Sequence, residues 1–169
     1  MTSIEAAADA LQDRAVLWSI GAAPAHEVVT AACNALVAGL DSPALLALAS
    51  RTRSEADYDV PEILPAALEE LGLTYYAPGS HAGEEAAVRA LANHLLAGEL
   101  TPRDLAFQAH QRFGHRLPLA ERLAELDDEY DTLEYSGRTP AQLDADVTSE
   151  AHRLAHQPRG SSEPTDAPA

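Results

Sequence analysis

Residues 121–134 read Glu-Arg-Leu-Ala-Glu-Leu-Asp-Asp-Glu-Tyr-Asp-Thr-Leu-Glu, and the thirty positions from Glu121 to Glu150 hold ten carboxylates against two arginines. That local net of −8 is half of the chain's formal −16. Carboxylates at this density can do two things. They can bind a divalent cation through hard oxygen ligands, or they can meet a basic protein surface. The same field repels nucleic acid and anionic lipid. Six residues, Glu121, Glu125, Asp127, Asp128, Asp131 and Glu134, are the candidate partner-binding groups.

The other chemistry-bearing residues are weaker candidates. His152 and His156 lie four apart, but the intervening Arg153-Leu154-Ala155 lacks the glutamate of a metalloprotease helix. His110 and His115 flank Gly114 at a helix end, while His26 and His94 stand alone. There is no Gly-x-Ser-x-Gly elbow, phosphate loop or dinucleotide fingerprint. No catalytic set, metal-ligand set or cofactor is therefore assigned. Cys33, in the run Val28–Val37, reads as a small buried hydrophobe and excludes an internal disulfide. The first residues lack a basic start followed by an apolar run, and no stretch is long enough to span a bilayer. The expected setting is cytoplasmic, away from membranes.

These groups must be positioned by helices. The chain contains 35 alanines and no lysine, and its 11 basic residues are all arginine. Alanine has the best helix propensity, and β-branched and aromatic residues are sparse. Pro24, Pro43, Pro102, Pro118 and Pro140 mark first helical turns, three of them behind a capping Ser42, Thr101 or Thr139. Gly21, Gly39, Gly72, Gly98 and Gly114 close apolar-periodic segments. Helices are expected near 4–20, 24–38, 43–50, 60–71, 83–97, 102–113, 118–134 and 140–156. Pro61 and Pro65 should make the fourth start late or bend.

In the segment 118–134, Leu119, Leu123, Leu126, Tyr130 and Leu133 form an apolar stripe that should face the core. Asp127, Asp131 and Glu134 then line one flank and Glu121, Glu125 and Asp128 the other. Residues 34–47 and 93–106 echo each other at a constant offset of 59, each a helix ending at glycine followed by a Ser/Thr-Pro helix start. This suggests two similar helical-hairpin halves, 1–74 and 83–157, within one domain 1–157. Residues 158–169 have nothing to bury and are expected to be a disordered tail.

Four resemblances bear on function. Asp127-Asp128-Glu129-Tyr130-Asp131 is similar to the Asp-Asp-x-x-Asp motif of isoprenoid synthases, without their second motif or long bundle. Glu125-Leu126-Asp127-Asp128 resembles half of the paired acidic motif of all-helical nucleotide pyrophosphohydrolases, but neither Glu69-Glu70 nor Glu84-Glu85 completes the other half. Ala38-Gly39-Leu40-Asp41-Ser42-Pro43-Ala44-Leu45 with Ala67-Leu68-Glu69-Glu70-Leu71-Gly72 resembles small all-helical actinobacterial proteins of unknown function, loosely over residues 10–150. That likeness implies an all-helical fold and no particular chemistry. In size and charge the chain is also similar to acidic immunity proteins of bacterial toxin systems, whose carboxylates meet a basic toxin.

The expectation is an all-α compact bundle of about seven to eight short helices. Its function would be non-enzymatic, with the acidic helix binding a basic protein partner as an immunity protein or regulator does. The alternative is a Mg-dependent nucleotide or diphosphate hydrolase using the same helix. A homodimer burying a face such as Leu45-Leu46-Leu48 is a third arrangement. Nucleic-acid binding is disfavoured: Arg51/Arg53 and Arg112/Arg116 are the only close arginine pairs.

Overall fold

Capping signals set the frame of the molecule, for which a computed structural model describes residues 2–157. Ser42 Oγ accepts from the Leu45 amide ahead of Pro43, Thr101 Oγ1 from the Asp104 amide ahead of Pro102, and Thr139 Oγ1 from the Gln142 amide ahead of Pro140. Each satisfies an amide that the first helical turn leaves without a partner. The elements are α1 (Ser3–Ser19), α2 (Ala25–Ala38), α3 (Pro43–Ala49), α4 (Arg53–Glu70), α5 (His81–Leu96), α6 (Pro102–Phe113), a 3₁₀ turn (Pro118–Ala120), α7 (Glu121–Asp131), the single-turn α8 (Leu133–Ser136) and α9 (Pro140–His156). No strand occurs among the described residues, so the fold is all-α.

Two elements differ from the sequence reading. Helix α4 begins at Arg53, seven residues before the expected start, and runs through both prolines. Thr52 and Glu55 form a capping box at its N-terminus, a Thr-x-x-Glu pattern that the prolines overshadow in the sequence. An internal proline costs about 3 kcal/mol of helix stability. Burial of Ala56, Val60, Leu64, Ala67 and Leu68 along one stripe of α4 offsets that cost. The expected helix 118–134 is three pieces: a 3₁₀ turn, α7 and α8, with Thr132 outside helical geometry at φ −106°, ψ 16°. The Thr132 hydroxyl donates to the Asp128 carbonyl at 3.0 Å, a back-bond that competes with the helical ladder.

Buried side chains form two clusters. One joins α2, α3 and α4 through Val28, Ala32, Leu45, Leu48, Val60, Leu64 and Leu68. The other joins α5, α6, α7 and α9 through Leu91, Leu105, Phe113, Leu123, Leu126, Leu143, Val147 and Leu154. Helix α1 serves both, giving Leu11 and Ala15 to the first and Val16 and Leu17 to the second. The loop after α4 crosses α1 and is pinned there by Gln12: its Nε2 donates to the Thr74 carbonyl and its Oε1 accepts from the Thr74 amide, both at 2.7 Å.

Two further expectations need correction. Cys33 is exposed, because the core stripe of α2 runs through Val28, Val29, Ala32 and Ala35; its Sγ lies 3.3 Å from the Ala49 carbonyl. In the proposed dimer face, Leu45 and Leu48 are fully buried within the chain and only Leu46 is exposed, so these three leucines do not form one surface face. No described helix is long and apolar enough to cross a membrane. The expected tail, 158–169, lies outside the described residues.

Candidate functional site

The apolar stripe decides where the acids of α7 go. Of the expected stripe, Leu123, Leu126 and Tyr130 are buried where α7 packs against α6 and α9, and Leu119 and Leu133 are half-buried at its two ends. Asp127, one residue after Leu126, is drawn in with them and is only 5 % exposed. Its Oδ2 accepts from His110 Nδ1 of α6 at 2.9 Å, while Oδ1 has no hydrogen-bond partner. Asp127 is therefore not on the surface offered to a partner. Tyr130 is anchored at the same level. Its hydroxyl donates to Asp144 of α9, and the Arg103 guanidinium lies 4.9 Å from its ring centre. Burial, with Asp144 beside it, pushes the Tyr130 phenol above its ordinary value.

The other five acids reach solvent, and four of them have an arginine or histidine beside them. Glu121 accepts from His115 Nδ1 at 3.1 Å. Asp128 lies 3.2 Å from His115 Nε2 and 3.8 Å from His110 Nδ1. The hydrogen bond to Glu121, helped by the charge of Asp128, holds the His115 imidazole above its ordinary value. Arg122 reaches Glu125 at 2.9 Å and Glu129 at 3.1 Å, and Arg138 pairs with Glu129 and with Asp146 of α9. Arg103 reaches Asp131 at 3.3 Å. Exposed pairs of this kind each contribute little to stability. They do lower the free charge of α7 well below what its sequence suggests. Glu134 has no ion-pair partner among the described residues.

The histidines arrive by way of one turn. Gly114 closes α6 with φ +55° and ψ −146°, a backbone region that favours glycine. The chain reverses there and sets His115 against His110, with ring centres 5.0 Å apart and edge to face. The sequence reading placed both histidines at this helix end but did not join them to the acids. Their five-residue separation matches no helical face; only the turn brings them together. By contrast, the helically spaced His152 and His156 have rings 6.2 Å apart, and His156 Nδ1 donates to the His152 carbonyl at 2.7 Å.

Just beyond Thr132 the surface changes character. Tyr135 on α8 is 84 % exposed, next in sequence to the unpaired Glu134 and four residues after Asp131. An open recess beside it is lined by Tyr130, Asp131, Leu133, Glu134, Gly137 and Arg138. Tyr135 falls outside the five-residue stripe and was not a sequence candidate. A more enclosed pocket of about 150 Å³ lies between α1, α5 and the end of α9, lined by Gln12, Asp13, Glu85, Arg89 and Asn93; none of the six acids reaches it.

No family model, curated protein or solved structure matches the chain. The functional reading therefore rests on these residues alone.

Proposed function

We propose that this chain is a non-enzymatic helical interaction module that binds a basic protein partner through the α7–α8 corner. The observation that carries the reading is Tyr135, an aromatic ring 84 % exposed beside the unpaired Glu134 and the exposed Asp131. A folded chain gains nothing by leaving so much aromatic surface in water, whereas tyrosine is among the strongest anchors of protein interfaces. Carboxylates around such a ring select a partner rich in arginine or lysine, which can both pair with the acids and stack on the ring. The net −16 adds long-range steering toward such a partner. Among the six candidate acids, Glu125, Asp128, Asp131 and Glu134 are the exposed contributors, and Glu121 is half-buried at the margin.

The hydrolase alternative is less well supported. Magnesium needs free carboxylate oxygens converging from facing helices. Here Glu125 and Glu129 are held by Arg122, Asp131 by Arg103 and Asp127 by His110. The test is affinity capture with the full chain at low and high salt, beside a Glu134→Gln/Tyr135→Ala variant. The expected result is a basic protein retained at low salt, released at high salt and lost with the variant. Capture of no basic protein, or unchanged capture by the variant, overturns the reading.

A further inference from the structure

We propose that His110, His115 and Asp128 form a binding site for one divalent transition-metal ion of the zinc class, with Glu121 as a positioning residue and Asp127 as a buried counter-charge. One ligand atom from each of the three lies within 4.8 Å of the others. The His115 Nε2 to Asp128 Oδ2 separation is 3.2 Å. Two ligand atoms bound to one tetrahedral zinc at about 2.0–2.1 Å stand about 3.3–3.4 Å apart, so this pair already has the required spacing. The remaining distance is closed by side-chain rotation, for which Asp128, on the surface, is free.

The second observation lies behind the ligands. Metal-binding histidines generally donate their other ring nitrogen to a carboxylate, which fixes the tautomer and raises the basicity of the ligating nitrogen. His115 has that support, its Nδ1 lying 3.1 Å from Glu121, while His110 turns its Nδ1 to the Asp127 carboxylate at 2.9 Å. At His115 this leaves Nε2, already 3.2 Å from Asp128, for the ion; at His110 the nitrogen nearest Asp128 is Nδ1, at 3.8 Å, so there the ion takes Nδ1 beside the Asp127 carboxylate. The Asp127 carboxylate is more than nine-tenths buried, and its Oδ1 has no donor. A buried carboxylate with an unsatisfied oxygen is costly unless a positive charge stands nearby. A dication at His110 Nδ1, which faces both Asp127 and Asp128, supplies that charge. Two imidazoles and one carboxylate favour zinc, cobalt or nickel over magnesium or calcium, and a fourth position stays open to water.

A protonated His115 could hold Glu121 and Asp128 without any metal, and the experiment separates the two states. The full chain, stripped with chelator, is titrated with Zn²⁺ against a chromophoric competitor, and with Co²⁺ followed by its visible absorption. The variants are His110→Ala, His115→Ala, Asp128→Asn and Asp127→Asn, with His152→Ala/His156→Ala as the control for the other histidine pair. One equivalent of Zn²⁺ should bind and Mg²⁺ should not displace it. Each ligand variant should weaken binding at least ten-fold, Asp127→Asn by roughly 10–100-fold, and the control not at all. Circular dichroism confirms that the surface variants His115→Ala and Asp128→Asn remain folded. Absence of saturable micromolar binding, equal binding by all the ligand variants, or loss of binding in the control overturns the proposal. None of these outcomes depends on the α7–α8 corner.

Discussion

Replacing Gln12 by methionine should unpin the loop between the two buried clusters. Gln12 is 6 % exposed and makes two hydrogen bonds of 2.7 Å to the backbone of Thr74, one as donor and one as acceptor. Methionine has nearly the same volume, so no cavity opens, and the loss is confined to those two bonds. Thr74 is itself exposed, so water can reach its freed amide and carbonyl. The relevant cost is then two net hydrogen bonds at about 1 kcal/mol each, not the larger penalty for orphaned buried groups. The more favourable transfer of a thioether into the core returns part of this, leaving a loss of about 1–2 kcal/mol. For a domain of this size that corresponds to a fall in Tm of about 2–8 °C. Urea denaturation gives the free energy, and amide exchange at Thr74 reports the local effect. A loss below about 0.5 kcal/mol, or an unchanged protection of the Thr74 amide, would refute the pinning role.

Other consequences can be measured with the same denaturation assay. Leu126→Ala removes a fully buried side chain between α6, α7 and α9 and should cost about 2–5 kcal/mol. Gly114→Ala meets no atom within 4 Å, so its cost of about 1–3 kcal/mol is the strain of a positive φ alone, and a neutral result would show that the turn relaxes. Arg116, hydrogen-bonded to Glu84 at 2.8 Å, holds the Glu84 carboxyl below its ordinary value of 4.5. A depressed folded value means that the pair stabilises above pH 4.5 and that this is lost as pH falls through the folded value. Glu84→Gln should therefore be less stable than the parent at pH 7 and approach it in acid. A difference that persists in acid would assign the effect to packing.

The helix frame was legible because its signals are local. Ser42-Pro43, Thr101-Pro102 and Thr139-Pro140 begin helices where capping chemistry says they must. The α7 stripe was legible for the same reason, since its periodicity needs no knowledge of a partner helix. Errors arose where tertiary packing outweighs local preference. Prolines within α4 are tolerated because five buried side chains hold that helix in place. Asp127 lies on the flank of α7 that α6 covers, and a helical wheel cannot see α6. The pairing of His110 with His115 depends on the conformation of Gly114, and Tyr135 on a helix break at Thr132. The total charge was read correctly, but its availability was not, because Arg103 and His110 of α6 fold onto Asp131 and Asp127, and Arg122 and His115 close on the nearer acids.

Two surfaces place an exposed tyrosine among acids: Tyr135 at the α7–α8 corner, and Tyr58, 80 % exposed on α4 near Asp57 and Glu62. The most direct test is the dissociation constant of the captured basic partner for the parent chain, Tyr135→Ala and Tyr58→Ala. The account predicts at least a ten-fold weakening for Tyr135→Ala, about 1.4 kcal/mol, with Tyr58→Ala near the parent value. Equal affinity of Tyr135→Ala and the parent, with binding lost in Tyr58→Ala, would contradict it and move the interface to α4.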